Sequence, residues 1–195
     1  MMRPIAPATA ASLLAMCFAF PFLEGCVPMI VAGAAQVAVS AGDPRSTGAQ
    51  IDDQTIEIKV TTEAGSRWGN DVHLNVTSYN GIVLLTGEAP STIVQDEITK
   101  LAKSTDRVRI VQNEMVIGPV TDLSARTNDT YITSKVKTRL LDDEKVKALY
   151  IKVVTERSVV YLMGIVPREE GTQAAQVAAT TSGVASVVKV FEYKN

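Results

Sequence analysis

Side chains able to do chemistry are few along this chain. It has one histidine, His73, and two cysteines, Cys17 and Cys26. A lone imidazole without cysteine partners does not make a zinc site, which draws on three or four protein ligands, so no metal is expected. Asp142, Asp143 and Glu144 form a carboxylate run. A general acid and its base must face each other across a cleft, which neighbours in sequence do not, and the run reads as a helix end or turn. No serine sits in a nucleophile elbow, and no glycine loop with lysine could cradle a phosphate. The expectation is a non-enzymatic binding protein with no cofactor.

One stretch offers surface chemistry instead. Between Tyr131 and Leu141 the charged residues are Lys135, Lys137 and Arg139, with no acid among them. At 3.6 residues per turn, burial of Ile132, Val136 and Leu140 turns Tyr131, Ser134, Lys135 and Thr138 to the opposite side. A tyrosine ring suits headgroup depth, and each nearby base contributes about 1 kcal/mol against an anionic leaflet. Leu141, at the edge of the core stripe, could join such an insertion. The candidate lipid-docking residues are therefore Tyr131, Ser134, Lys135, Thr138, Arg139 and Leu141. An ordinary solvated helix face is the other reading of the same residues. Trp68, beside Arg67, reads as a half-buried packing residue or as a surface anchor.

The elements that position this helix occur twice. Asp53, Ile56, Lys59 and Val60 return as Asp129, Ile132, Lys135 and Val136; Val76, Val83, Leu85, Gly87 and Pro90 return as Val153, Val160, Leu162, Gly164 and Pro167. A nearly constant offset marks a tandem array. In the second unit Asn128 or Asp129 is the expected N-cap, followed by the stripe Ile132, Val136, Leu140. Strands are expected over 150–155 and 159–165, a helix from Pro167 that Gly183 can end, and a strand over 184–193. The first unit repeats this with helix residues Ile56, Val60 and Ala64, strands over 73–77 and 82–86, an Asn80-Gly81 hairpin turn, a helix on Val94, Ile98, Leu101 and Ala102, and a strand over 108–116. Gly87 and Gly164 are expected to let strand and helix pack closely.

The predicted class is α+β: two αββαβ units, each with a small three-stranded mixed sheet and two helices. The expected limits are 52–117 for the first unit, 118–127 for a linker and 128–195 for the second. A unit of this size is marginal alone, so the two are expected to touch. Arg107 stands where the second unit has Gly183, and the second hairpin, Glu156-Arg157-Ser158, lacks the glycine of the first.

Upstream, 10–23 is almost wholly apolar, has the length of a secretory h-region and is too short to span a bilayer. Leu23-Glu24-Gly25-Cys26 looks like the lipobox of bacterial lipoproteins, although Glu24 departs from its usual small residue. The likeness implies a leader over 1–25, a diacylglyceryl group on the Cys26 sulfur, and a tether over 26–51. Several acyl chains give lasting attachment at about 0.8 kcal/mol per buried methylene. Val27 is not the Asp that resembles an inner-membrane retention signal, which favours the outer membrane's inner leaflet with the domains facing the periplasm. No disulfide is then available, and the cores alone must hold the fold.

Charge divides unevenly. Residues 52–116 carry 6 basic and 10 acidic side chains, whereas 128–195 carry 10 and 8. No basic stripe interleaved with aromatics appears, which argues against nucleic acid as a partner. The more positive second unit is better suited to an anionic surface.

The αββαβ order, with Val83-x-Leu85-x-Gly87, Val160-x-Leu162-x-Gly164 and the closing Gly183-Val184-x-x-Val187, resembles the BON domain of bacterial osmotically inducible and nodulation proteins. Two such units behind a lipobox resemble outer-membrane lipoproteins of that family. The resemblance covers roughly 43–195 and the leader. It implies binding of anionic phospholipids in the inner leaflet, support of outer-membrane integrity and a division-site role. In similar proteins the first helix of the second unit presents an aromatic to the bilayer, and Tyr131 stands where it would. A different class remains open, a scaffold for an outer-membrane assembly or cell-wall protein with lipid only as tether.

Overall fold

The computed structural model describes residues 43–194. The leader, Cys26 and most of the expected tether lie outside them.

Helix α1 (Thr47–Trp68) starts where the Ser46 side chain accepts the Ala49 N–H at 3.1 Å, and it buries Asp53, Ile56, Val60 and Ala64. The segment expected as tether up to 51 is thus already helical at Thr47. Strands β1 (His73–Tyr79) and β2 (Ile82–Ala89) form an antiparallel hairpin, and helix α2 (Thr92–Ser104) crosses over to β3 (Ile110–Asn113), parallel to β2. The single closing strand expected over 108–116 is interrupted. Met115 turns into the core, its N–H held by the Asn113 side chain, and pairing with β2 resumes at β4 (Val116–Ile117).

The second unit begins with α3 (Leu123–Leu141), whose N-cap is Asp122, accepting the Ala125 N–H at 2.8 Å. This corrects the expected cap, since neither Asn128 nor Asp129 starts the helix, and the stretch expected as a linker over 118–127 is helical from Leu123. Strands β5 (Lys152–Glu156) and β6 (Val159–Pro167) form the hairpin, helix α4 (Arg168–Ala179) follows, and β7 (Ser186–Lys194) lies parallel to β6.

Asp129 is buried because it has another task. Its two oxygens accept the Arg157 and Ser158 N–H groups, each at 2.8 Å, at the β5–β6 turn. Asp53 does the same for Asn80 (2.7 Å) and Gly81 (2.9 Å) at the β1–β2 turn, and also accepts the Ser78 hydroxyl. Both turns place two successive residues at positive φ: Asn80 and Gly81 in the first, Arg157 and Ser158 in the second. This is the primed geometry that suits a twisted hairpin. Arg107, at φ 67°, adopts the left-handed region that Gly183 uses in the second unit.

The two sheets pack on each other. In β2, Val83 and Leu85 face α1 and α2, while Ile82 and Leu84 face the second unit, so the whole strand is buried. In β6, Val160 and Leu162 face their own helices, and Tyr161 and Met163 meet Tyr79, Ile82 and Leu84. The units touch as expected, through a shared apolar layer with helices outside both sheets. Lys152 Nζ crosses between them to the Glu57 carboxylate and the Ser78 carbonyl, each at 2.8 Å.

Gly87 and Gly164 admit backbone, not a helix. A Cβ on Gly87 would lie 2.0 Å from the His73 carbonyl oxygen, and one on Gly164 would lie 2.8 Å from that of Tyr150. Where the chain enters the fold, Arg45 bonds Asp43 at 2.7 Å and Asp53 at 2.8 Å, with its guanidinium 3.9 Å from the Tyr79 ring centroid. Burial, with the Asp43 charge, pushes the Tyr79 hydroxyl up to about 12.

Candidate functional site

Along α3 the apolar stripe Ile132, Val136, Leu140 is buried, and Tyr131 stands 62% exposed. Lys135 Nζ lies 4.6 Å from the Tyr131 ring centroid and donates to the Ser182 carbonyl. A cation is thus fixed beside the aromatic face, as a cation–π contact requires.

The other residues predicted for this surface play different parts. The Ser134 and Thr138 hydroxyls donate to the carbonyls four residues back, Thr130 and Ser134, each at 3.0 Å. Their donors are spent within the helix, leaving only lone pairs outward. Arg139 turns toward α4, donating to Val177 O at 3.1 Å, Thr181 Oγ1 at 2.8 Å and Thr180 Oγ1 at 3.1 Å. It neutralises the negative end of that helix, which makes it a structural clamp as much as a surface charge. Leu141 is 60% exposed at the end of α3, ten residues and about 15 Å from Tyr131.

Beside Leu141 stands Leu149, 67% exposed, on the short 3-10 turn Ala148–Tyr150. With Val146, Lys147, Ala148 and Tyr150 they line one shallow groove. Sequence reasoning missed Leu149, because it read only 150–155 as structured. The signal was an unpaired apolar residue between lysines and the strand. Asp143 closes this turn as foreseen, accepting the Lys145 N–H at 2.9 Å and the Gln173 side chain at 2.8 Å. Trp68 is half-buried against the first core, the packing alternative, with Arg67 5.9 Å from its ring.

A second cluster sits where the units meet. His73 pairs with Glu88 across the hairpin, and its Nδ1 lies 2.9 Å from Glu88 Oε2 and 3.8 Å from Glu156 Oε1 of the second unit. The Thr121 N–H donates to Glu88 Oε2 at 3.2 Å, the Thr121 hydroxyl donates to Oε1, and Arg157 Nη1 stands 3.6 Å from Oε1. Burial alone would raise the Glu88 carboxyl, but the Thr121 and His73 contacts outweigh it and hold it below the usual carboxylate range. Glu156 goes the other way. Burial pushes it up, and repulsion from Glu88 and Asp129 adds to that against the attraction of His73. The cluster borders a cleft of about 400 Å³ lined by β1 and α3 residues, Asn75, Arg126 and Lys137 among them.

Among the described residues no helix is long and apolar enough to cross a membrane. The model of the BON domain matches residues 52–119 and 128–195. The chain is 40% identical over 174 residues to the outer membrane lipoprotein DolP of Haemophilus influenzae, covering 88% of this chain and 90% of that one. It is 35% identical over 153 residues to a 21 kDa hemolysin of Actinobacillus pleuropneumoniae, covering 77% and 79%. Osmotically-inducible protein Y of Escherichia coli is 30% identical over 117 residues, 58% of each chain. The BON domain and the lipoprotein relative are not enzyme families. The likeness to DolP gives the protein an outer-membrane, lipid-anchored localisation and a membrane-associated role. With two matched domains and relatives aligned over most of its length, this chain belongs to the BON-domain family.

Proposed function

We propose that this protein is a non-enzymatic, lipid-anchored module whose second BON unit docks on anionic phospholipid and so supports outer-membrane integrity. Acylated Cys26 is the anchor, and α3 is the docking element. The observation that carries this reading is Tyr131, exposed beside the fixed ammonium of Lys135, with Leu141 exposed at the far end of the same helix and Leu149 on the 3-10 turn next to it. Rings and leucines enter the headgroup layer while lysines meet phosphate, a division of labour general to interfacial helices.

Flotation of the 43–195 fragment with vesicles tests it. The fragment should float with anionic vesicles, not neutral ones, and salt should weaken the binding. Tyr131→Glu should abolish flotation with the fold intact. Flotation of that variant at the wild-type level would overturn the assigned surface.

A scaffold role for an outer-membrane assembly or cell-wall protein has one observation in its favour. Ile110, Val116 and Ile117 are exposed along β3 and β4, at the edge of the first sheet. An apolar edge can accept an added strand. Loss of a co-purifying protein in Val116→Lys, with vesicle binding unchanged, would favour it.

A further inference from the structure

We propose that His73, Glu88 and Glu156 bind a divalent transition-metal ion of the zinc class, joining the first BON unit to the second. The lone histidine, which without cysteine partners gave no expectation of a metal, meets two carboxylates here, one across its own hairpin and one from the second unit, with the three ligand atoms all within 4.8 Å of one another. Ligands arranged tetrahedrally around zinc at 2.0–2.1 Å stand about 3.3 Å apart. The His73 contacts to Glu88 and Glu156, 2.9 and 3.8 Å, bracket that spacing. The ligand atoms spread over as much as 4.8 Å, so an inward movement of up to about 1.5 Å would complete a site of one nitrogen and two oxygens, with water as the fourth ligand.

The surroundings suit an ion better than an internal ion pair. A protonated His73 satisfies Glu88 but stands 3.8 Å from Glu156, beyond hydrogen-bond length, which leaves Asn75 as the neutral partner of that carboxyl. Two carboxylates and a neutral imidazole match a charge of +2, and Asp129 on α3 adds to the negative field. Three bases stand close, Arg157, Arg126 and Lys137. Arg157 approaches the far oxygen of Glu88, and Arg126 donates to the Thr121 carbonyl at 2.8 and 3.0 Å. Thr121 orients the Glu88 carboxylate with two hydrogen bonds, the support that ligating carboxylates normally have. His73 is only partly buried and borders the cleft, which supplies a route from solvent.

The duplication does not repeat this site. The residues matching His73 and Glu88 are Tyr150 and Ile165, and Gly164 approaches the Tyr150 carbonyl as Gly87 approaches that of His73. The ligand set therefore takes two residues from the first hairpin and Glu156 from the second. The ligands stand on strands, while the cleft beside them is shared with α3 through Ser134 and Lys137.

The test uses the full-length chain in detergent, stripped of metal with a chelator. Zinc titrated by calorimetry should bind saturably at about one equivalent. Cobalt(II) should give visible d–d bands without a thiolate charge-transfer band. Glu156→Gln, which keeps the side-chain shape, and His73→Gln should each weaken binding by about tenfold or more, and zinc should raise the melting temperature of the parent only. Circular dichroism checks that both variants fold. No saturable binding at micromolar metal, a thiolate band, or binding that both variants retain would each overturn the proposal.

Discussion

The Asp129 carboxylate accepts the backbone N–H of Ser158 across 29 residues of sequence, at 2.8 Å. Its counterpart Asp53 holds Gly81 in the same way. Each unit thus ties the middle of its first helix to its hairpin turn through one buried charge. A carboxylate with two backbone donors tolerates burial that an unpaired one would not. Asp129→Ala strands two turn amides and should cost about 3 kcal/mol in urea unfolding. Asp53→Ala should cost more, since Asp53 also receives Ser78 and Arg45.

Ser158 holds φ 62° without being glycine. Ser158→Gly should therefore stabilise the protein by about 1 kcal/mol. Gly81→Ser should not be the mirror image, because a Cβ there meets the Arg107 carbonyl oxygen at 2.7 Å. Paired denaturation curves for the two substitutions check the asymmetry.

Arg139 and Tyr131 should separate stability from docking. Arg139→Ala removes three hydrogen bonds to the end of α4 and should cost about 1–2 kcal/mol while leaving most vesicle binding in place. Tyr131→Ser should do the reverse. Melting temperature and flotation, measured on both variants, provide the comparison.

The shifted carboxyls should give opposite pH dependences. Glu156, raised in the folded state, lends stability that is complete at low pH and lost as pH rises through its folded value. Glu156→Gln should therefore raise the melting temperature at neutral pH, and the gain should shrink on acidification. Glu88 and Asp43 are held low, so their contribution is full above the ordinary carboxylate range and lost as pH falls through their folded values. Melting curves of parent and variant from neutral to acidic pH test both signs.

The shared apolar layer predicts one cooperative unfolding step. Met163→Ala should cost about 3 kcal/mol, and Met163→Asp should split the transition in two. Calorimetric scans would reveal the second peak.

Periodicity and offset made the helices, hairpins and mixed sheets legible in the sequence, and the Asn80-Gly81 turn was legible to the residue. The alternation of Val83 and Leu85 gave the helix side of β2, but not what covers Leu84, since a strand buried on both faces carries no polar phase. Asn128 and Asp129 carry a cap signal, a short polar residue ahead of an apolar stripe, that Asp122 answers instead. The repetition of Asp129 in step with the turn was the clue to its real role. Tyr131 and Leu141 were legible as outward residues from helical spacing. The inner attachments of Lys135 and Arg139 depend on α4, which spacing along one helix cannot reveal. Nor could His73 be matched to Glu156, because that pairing exists only once the two sheets meet.

Arg45 fastens the start of the described chain to Asp53, and Asp53 in turn holds the first hairpin turn. Any tension arriving from upstream is therefore delivered to the first unit's buried charge network and not to α3. A pull along the backbone should release the Arg45 pair before either sheet yields, leaving the second unit free to settle on its target undisturbed.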